Sequence, residues 1–185
     1  MAEITNGRTN AAYLAVRIEI LRKEMEQGAL WRETVLMNSD LGLLWTRVTY
    51  QVGDKEIFTQ EVLLHSVSIS SWNSCIAAMN PEIYERIPFA IESPELYIEV
   101  KHYGRPDGAK PDDPIYRNPS CQFLIYVDTA IAAGSFGISM SGPAMVFTLP
   151  MSEIQKFAHA LHQEAEAVLH SAPPLIDGSV RQIEE

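Results

Sequence analysis

The chain has 185 residues, which suits a single domain and is long enough to fold without a disulfide or a metal ion. Hydrophobic residues make up 46% of it and charged residues 21%, a balance that excludes a wholly disordered chain. The 14 basic and 24 acidic residues leave a net charge of −10, which speaks against nucleic acid as a direct partner because phosphate binding needs a basic surface.

The N-terminal region predicts a flexible lead-in over residues 1–11, followed by a strand. Apolar residues alternate with others from Tyr13 to Leu21, which favours a strand. The helix-forming stretch RKEMEQ follows directly, so a helix from Ala11 to Gln27 is the alternative interpretation. The domain itself is expected over residues 12–170.

A hairpin and a helix are predicted next. Alternation from Leu43 to Val52, the turn residues Gly53-Asp54 and a returning strand from Glu56 to His65 together predict the hairpin. The apolar spacing then changes to a helical period from Ser66 to Met79. The candidate N-caps of this helix are Ser68, Ser70 and Ser71, and Asn80-Pro81 is its stop signal.

Further strands are predicted from Pro88 to Glu92 and from Leu96 to Tyr103. The segment from Gly104 to Ser120 contains four prolines and two glycines, so it is expected to be a long irregular loop. A central strand from Cys121 to Asp128 follows. A last hairpin is expected from Ala132 to Gly142 and from Ala144 to Leu149.

The run from Thr129 to Ser152 contains no charged residue and is long enough to cross a bilayer. Its glycines, prolines and serines favour the buried hairpin instead, so no membrane association is expected.

The most strongly patterned element is a helix from Ser152 to about His170. Ser152 and Gln155 have the spacing of a capping box, and apolar residues follow at helical intervals. The last residues, 171–185, are expected to form an acidic tail. We find no internal sequence repeat.

The fold class expected is α+β, with an antiparallel sheet of about six to eight strands, a short middle helix and the C-terminal helix packed on the sheet. The core is expected to contain Val48, Leu64, Trp72, Ile76, Ile98, Phe123, Ile125, Val127, Phe147, Phe157 and Leu161.

No pattern in the sequence predicts catalysis, a metal site or a cofactor. His159, His162 and Glu166 have a spacing that can hold a metal, but His159 and Glu166 should face water on the final helix. Cys75 and Cys121 form no CxxC pair, so we expect two reduced, buried thiols and a cytoplasmic protein. His65 and His102 are candidate general bases without a nucleophile tied to them.

A set of acidic and tyrosine residues is the candidate partner-binding surface. Tyrosine provides contact area at low entropic cost, and carboxylates steer a basic partner. If the strand from Leu96 keeps its phase, Tyr97, Glu99, Lys101 and Tyr103 share one face. An ordinary edge strand protected by charge is the alternative interpretation. The candidate partner-binding residues are Glu92, Glu95, Tyr97, Glu99, Tyr103, Asp107, Asp112, Asp113 and Tyr116.

Three segments carry a resemblance to a known family: VLLHSVSISSWNSCIAAM, ESPELYIEVKHY and FTLPMSEIQKFAHALHQEAEAVL. With the order of hairpin, helix, strands and final helix, residues 43–170 resemble the WapI-type immunity proteins of bacterial toxin systems. The resemblance implies an acidic, non-catalytic protein that binds and blocks a basic toxin, often a nuclease. It transfers no individual site residue, and the first forty residues and the proline-rich loop depart from it.

The leading functional hypothesis is therefore a protein-binding module, of the immunity or inhibitor kind, with a basic toxin or effector as its partner. A second hypothesis is a small-molecule binder or enzyme with a site under the loop 104–120 and His102 as its titrating group. A third is a structural subunit of a phage or secretion assembly, with the run 129–152 as its contact. The sequence does not define the oligomeric state.

Overall fold

The structure, a computed structural model, describes residues 1–6, 13–23, 42–80, 82–88, 96–103, 112, 118–129 and 142–171. It contains eight strands and two helices in these ranges, which confirms the α+β class. The strands are β1 (Ala2–Thr5), β2 (Leu14–Lys23), β3 (Leu43–Val52), β4 (Lys55–His65), β5 (Tyr84–Pro88), β6 (Leu96–Tyr103), β7 (Ser120–Val127) and β8 (Ala144–Pro150). The helices are α1 (Ser66–Ala77) and α2 (Met151–His170).

The strands form two antiparallel sheets of four, in the orders β1-β2-β3-β4 and β5-β6-β7-β8. Each sheet is a meander of sequential neighbours, and each leads without a break into a helix, β4 into α1 and β8 into α2. Within the described ranges the chain therefore repeats one architecture, four strands and a helix, although no repeat is visible in its sequence. Different apolar residues can satisfy the same alternation of buried and exposed positions, so similar strands need not have similar sequences.

One apolar core joins the two units. The helix α2 packs against α1 and also against β1 and β2 of the first sheet. All eleven residues expected in the core are buried, with exposed fractions of 2% or less. Trp72 of α1 meets Phe157 of α2 edge-on, with ring centroids 6.4 Å apart, and Phe157 in turn meets Phe123 of β7 at 5.6 Å.

The strand interpretation of residues 13–21 is confirmed by β2, and the hairpin of β3 and β4 is confirmed as well. Gly53 sits at the hairpin turn with a φ of 58°, a conformation that glycine adopts without steric cost. Gly142 is required for a different reason, the lack of space for a side chain. A Cβ there would lie 1.8 Å from the carbonyl oxygen of Val127, so only glycine lets β8 begin this close to the end of β7.

One prediction is wrong at the edge of the first sheet. Residues 2–5 form β1, where a flexible lead-in was expected, because Ala2 and Ile4 pack into the core while pairing with β2. The strand β5 (Tyr84–Pro88) was not predicted, and of the strand expected from Pro88 to Glu92 only Pro88 is described, because residues 89–95 lie outside the described part. The expected hairpin arm from Ala132 is outside it as well, whereas β8 confirms the other arm.

Both predicted helix caps are also wrong. The N-cap position of α1 is His65, and no side chain caps it. At α2 the partner of the first turn is Asn118, whose Oδ1 accepts from the Ser152 backbone N–H at 3.0 Å and whose Nδ2 donates to Ser152 Oγ at 2.8 Å. Gln155 instead donates to the carbonyl of Ile76 at 3.4 Å, so it joins α2 to α1 rather than closing a capping box.

We therefore expect Asn118→Ala to lower the free energy of unfolding by about 1 kcal/mol, the typical contribution of a capping side chain. Ser152→Ala removes only the hydroxyl acceptor and should lower it by less than half as much. Urea denaturation of the two variants beside the wild type measures both. Equal losses, or no loss in Asn118→Ala, would contradict the assignment of Asn118 as the cap.

Candidate functional site

The outward side of β6 carries the described part of the predicted docking surface. Leu96, Ile98 and Val100 point into the core, so the alternation of a strand places Tyr97, Glu99 and Lys101 on the opposite side. The predicted phase of this strand is therefore confirmed. Arg86 of β5 joins these three residues, and we call the four together the Glu99 cluster.

Glu99 is the centre of this cluster, and it is buried with 2% of its surface exposed. Its Oε1 accepts from the guanidinium Nε of Arg86 and from the hydroxyl of Tyr97 at 3.0 Å, and its Oε2 pairs with Lys101 Nζ at 2.9 Å. A buried carboxylate is stable only when ion pairs and hydrogen bonds replace its water. These three donors supply that replacement.

Glu99 therefore cannot offer its carboxylate to a partner, which corrects its place among the predicted docking residues. The sequence pattern predicted a solvated charge on a half-exposed strand. Glu99 pairs instead with Arg86 of β5. Because β5 lies earlier in the chain than the strand expected before β6, the sequence pattern did not predict this pair. Tyr97 is half-buried and also committed to this cluster, since its hydroxyl lies 3.4 Å from Arg86 Nη2.

The other predicted docking residues are distributed as follows. Asp112 is exposed. Tyr103 is the last residue of β6. The remaining five lie outside the described residues: Glu92, Glu95, Asp107, Asp113 and Tyr116.

A second charged surface, on the outward side of the first sheet, was not anticipated. Cross-strand neighbours form two ion-pair groups there. Arg17 of β2 pairs with Glu3 of β1 at 2.5 Å, and the hydrogen bond that its Nε donates to the Glu3 carboxylate raises the pKa of Arg17. In the second group Arg47 of β3 lies 2.9 Å from Glu61 of β4 and 3.5 Å from Glu19 of β2. Opposite charges at facing positions stabilise a sheet.

Arg17, Glu19 and Arg47 line a shallow groove of about 390 Å³, together with Met1, Thr49, Glu56 and Thr59. The hydroxyl of Thr59 lies 3.3 Å from that of Thr49. Further along the same sheet Arg22 covers the ring of Trp45, with its guanidinium carbon 5.4 Å from the ring centroid. The sequence signal for this surface was the presence of charged residues at alternate positions in β2 and β3. This signal predicts the ion pairs only when the pairing between the strands is known.

His102 lies in β6. It is fully buried, and its ring Nδ1 is 3.0 Å from the carbonyl oxygen of Ile83, an arrangement in which Nδ1–H donates. Most of the loop 104–120 that was expected to cover it lies outside the described residues, so the hypothesis of a ligand site there stays a prediction. His159 faces solvent as predicted. Within the described ranges, no three potential metal ligands lie close enough to hold an ion.

The two cysteines differ, which corrects the expectation that both are buried. Cys75 is exposed on α1, whereas Cys121 of β7 is buried against the sulfur of Met79 at 4.0 Å. Burial raises the pKa of the Cys121 thiol to about 11, so this thiol stays protonated and unreactive at neutral pH.

Neither helix in the described part of the chain is long and apolar enough to cross a membrane. No family model matches the sequence, and no curated protein is similar to it. Among solved structures the chain is similar to the plant transcriptional regulator PBF-2, with 10% sequence identity and a TM-score of 0.36 over 90% of this chain and 80% of that chain. At this level of likeness nothing about function carries over.

Proposed function

We propose that this protein is a non-catalytic binding module whose acidic surface docks a basic protein partner. In the most specific form of the proposal it is an immunity or inhibitor protein that covers the basic cleft of a toxin or nuclease. The observation that carries the proposal is the way in which the chain neutralises its own positive charges.

The described residues include eight lysines and arginines against thirteen aspartates and glutamates, which leaves −5 in this part of the chain. Five of those eight basic side chains form ion pairs with carboxylates of the same chain: Arg17, Arg47, Arg86, Lys101 and Lys156. The other three, Arg22, Lys23 and Lys55, are exposed, as are the acidic residues Asp54, Glu56, Glu82 and Asp112, so the described part of the chain keeps its excess of negative charge.

An excess of exposed carboxylates attracts a basic partner over a distance of about one Debye length, roughly 8–10 Å at physiological salt. Such steering raises the association rate, and it weakens as salt is added. The segment from Gly104 to Ser120 carries Asp107, Asp112 and Asp113, so it is the part of the chain in which we expect the docking carboxylates.

Reversing two of these charges tests the proposal. We expect Asp112→Lys/Asp113→Lys to slow association with the basic partner by about tenfold at low salt and to flatten the salt dependence of the rate. The partner is the protein captured from native lysate and purified, and stopped-flow mixing measures the rate. The dissociation rate should change less.

The matched control is Glu153→Lys/Glu166→Lys, which changes the net charge by the same amount on the helix α2. A slowing of similar size in both double variants would mean that only the total charge matters. An unchanged rate in Asp112→Lys/Asp113→Lys would exclude this segment as the docking surface. For the inhibitor form, the purified partner should lose its own activity in proportion to added protein, with an endpoint at one to one.

A further inference from the structure

The turn end of the hairpin of β3 and β4, residues 52–57, exposes two large apolar side chains, and we call it the hairpin end. Ile57 is 57% exposed and Val52 is 37% exposed. The other large apolar residues exposed in the described ranges are Met1, Val67, Ile83 and Val146, each in a different part of the chain. Single exposed apolar residues are ordinary on a protein surface, so the occurrence of two together distinguishes the hairpin end.

A β-bulge places Ile57 outside the ladder of strand pairs. Tyr50 pairs with Phe58, and the next pair along the hairpin is Gln51 with Glu56. Ile57 lies between these pairs and has no partner in β3, and such a bulge redirects the side chain of its extra residue. The core side of the hairpin is kept, because the Phe58 ring packs against that of Tyr50 with centroids 5.2 Å apart.

Protection of an edge strand explains the bulge but not the isoleucine. Within the described ranges β4 is the last strand in its sheet, and bulges and charged residues on such a strand hinder pairing with another chain. Neither device needs an apolar residue at the bulge. Core packing does not need it either, because more than half of the Ile57 side chain is exposed. Ile57 is therefore available as a contact for a partner.

The carboxylates of the hairpin end keep their charge. Asp54 and Glu56 are exposed, and neither forms an ion pair with a described residue. Neighbouring carboxylates of the same sheet do form such pairs: Glu3, Glu19 and Glu61. Asp54 accepts a hydrogen bond from the Tyr13 hydroxyl at 3.4 Å, which leaves its charge in place. Two carboxylates and Lys55 between them give the hairpin end a net charge of −1.

We propose that the hairpin end is a contact surface for the basic partner, with Ile57 as its apolar anchor and Asp54 and Glu56 as the carboxylates around it. An apolar centre inside a polar rim is the usual composition of a protein interface. The matching surface of the partner is an apolar pocket bordered by lysines or arginines. This inference rests on the proposed function and adds to it the contact that holds the complex together after association.

Charge complementarity selects a basic protein over a second copy of the chain. A second copy would bring its own Asp54 and Glu56 to the contact, and two chains of net charge −10 repel each other. A basic partner places cations opposite these carboxylates instead. Charges that steer a partner act mainly on the association rate, whereas a buried anchor acts mainly on the dissociation rate. The two kinds of contact can therefore be measured separately.

Ile57→Ser tests the anchor, with the basic protein purified from native lysate as the partner and surface plasmon resonance as the measurement. We expect dissociation at least about tenfold faster, the effect of losing a central contact. Ile57→Leu keeps the apolar contact and should stay within about threefold of the wild type. The matched control is Val67→Ser, because Val67 is 51% exposed on α1. Equal effects of Ile57→Ser and Val67→Ser would overturn the proposal.

Asp54→Asn/Glu56→Gln tests the carboxylates without changing the shape of the side chains. The double variant should weaken binding by about three- to tenfold at low salt and make its salt dependence shallower. Glu153→Gln/Glu166→Gln removes the same charge from α2 and is the control. The same loss of affinity in both double variants would contradict a local role for the hairpin end.

The outcomes separate this inference from the proposed function. If Ile57→Ser leaves dissociation unchanged while Asp112→Lys/Asp113→Lys still slows association, the hairpin end is not the contact and the acidic docking module stands. If Ile57→Ser speeds dissociation and the charge reversal has no effect, the hairpin end is confirmed and the segment 104–120 is excluded. If the wild type captures no basic protein, both proposals are wrong. The Tm of Ile57→Ser should match the wild type, which excludes misfolding as the cause of weaker binding.

Discussion

Glu99→Gln should lower the free energy of unfolding by about 2 kcal/mol, although the substitution hardly changes the shape of the side chain. Breaking a buried ion pair from one side typically lowers it by about 3–5 kcal/mol, because the remaining charge loses its partner. Here Arg86 is 57% exposed and Lys101 is 28% exposed, so water compensates part of the loss. Chemical denaturation at neutral pH measures the difference.

The control for Glu99 is an exposed pair in the same protein. Glu153 and Lys156 lie 2.8 Å apart on α2, with 49% and 73% of their side chains exposed. Glu153→Gln should change the free energy of unfolding by less than about 0.5 kcal/mol, as exposed pairs do. A double-mutant cycle of Glu99→Gln with Lys101→Met should show coupling of about 1 kcal/mol or more. Additive effects in that cycle would contradict the assignment of Glu99 as the charge that holds this cluster together.

Phe157→Ala should have the largest effect of any single substitution discussed for this protein, lowering the free energy of unfolding by about 3–5 kcal/mol. Phe157 contacts Trp72 of the first unit and Phe123 of the second, so its ring is part of the packing that joins the two units. A loss of this size should lower Tm by about 6–20 °C for a chain of this length. Differential scanning calorimetry measures Tm and shows whether unfolding stays cooperative.

Two further variants are controls for the loss of unfolding free energy expected in Phe157→Ala. Phe157→Leu keeps most of the apolar volume and should lower the free energy of unfolding by about 1–1.5 kcal/mol. Lys156→Ala, on the exposed side of the same helix, should change it by less than about 0.5 kcal/mol. A loss below about 1 kcal/mol in Phe157→Ala would mean that the aromatic contacts do not hold the units together.

Much of the fold was predictable because burial imposes a period on the sequence. The alternation in β2 and β3 and the helical spacing in α2 locate these elements, and every residue assigned to the core is buried. The strand β1 was missed because a four-residue strand contains only two core positions, too few to establish a period. The division into two sheets was not predictable either, since alternation locates strands without naming their neighbours.

The candidate site was less predictable than the core, because its properties depend on pairs of side chains distant in sequence. The phase of β6 correctly placed Tyr97, Glu99 and Lys101 together. The burial of Glu99 depends on Arg86, which pairing brings beside it from β5. The same limit applies to Asn118, which caps α2 from outside the helix. Local patterns report a residue's own environment, and these contacts arise only when strands and loops come together.

Affinity capture from native lysate at low and at high salt tests the central claim most directly. Wild-type protein carrying a tag is the bait, and Asp112→Lys/Asp113→Lys is used in parallel. The account predicts one stoichiometric basic protein that binds the wild type at low salt, is released by high salt and is depleted on the charge-reversed bait. Recovery of the bait alone, or of a partner that neither salt nor charge reversal affects, would contradict an acidic docking surface.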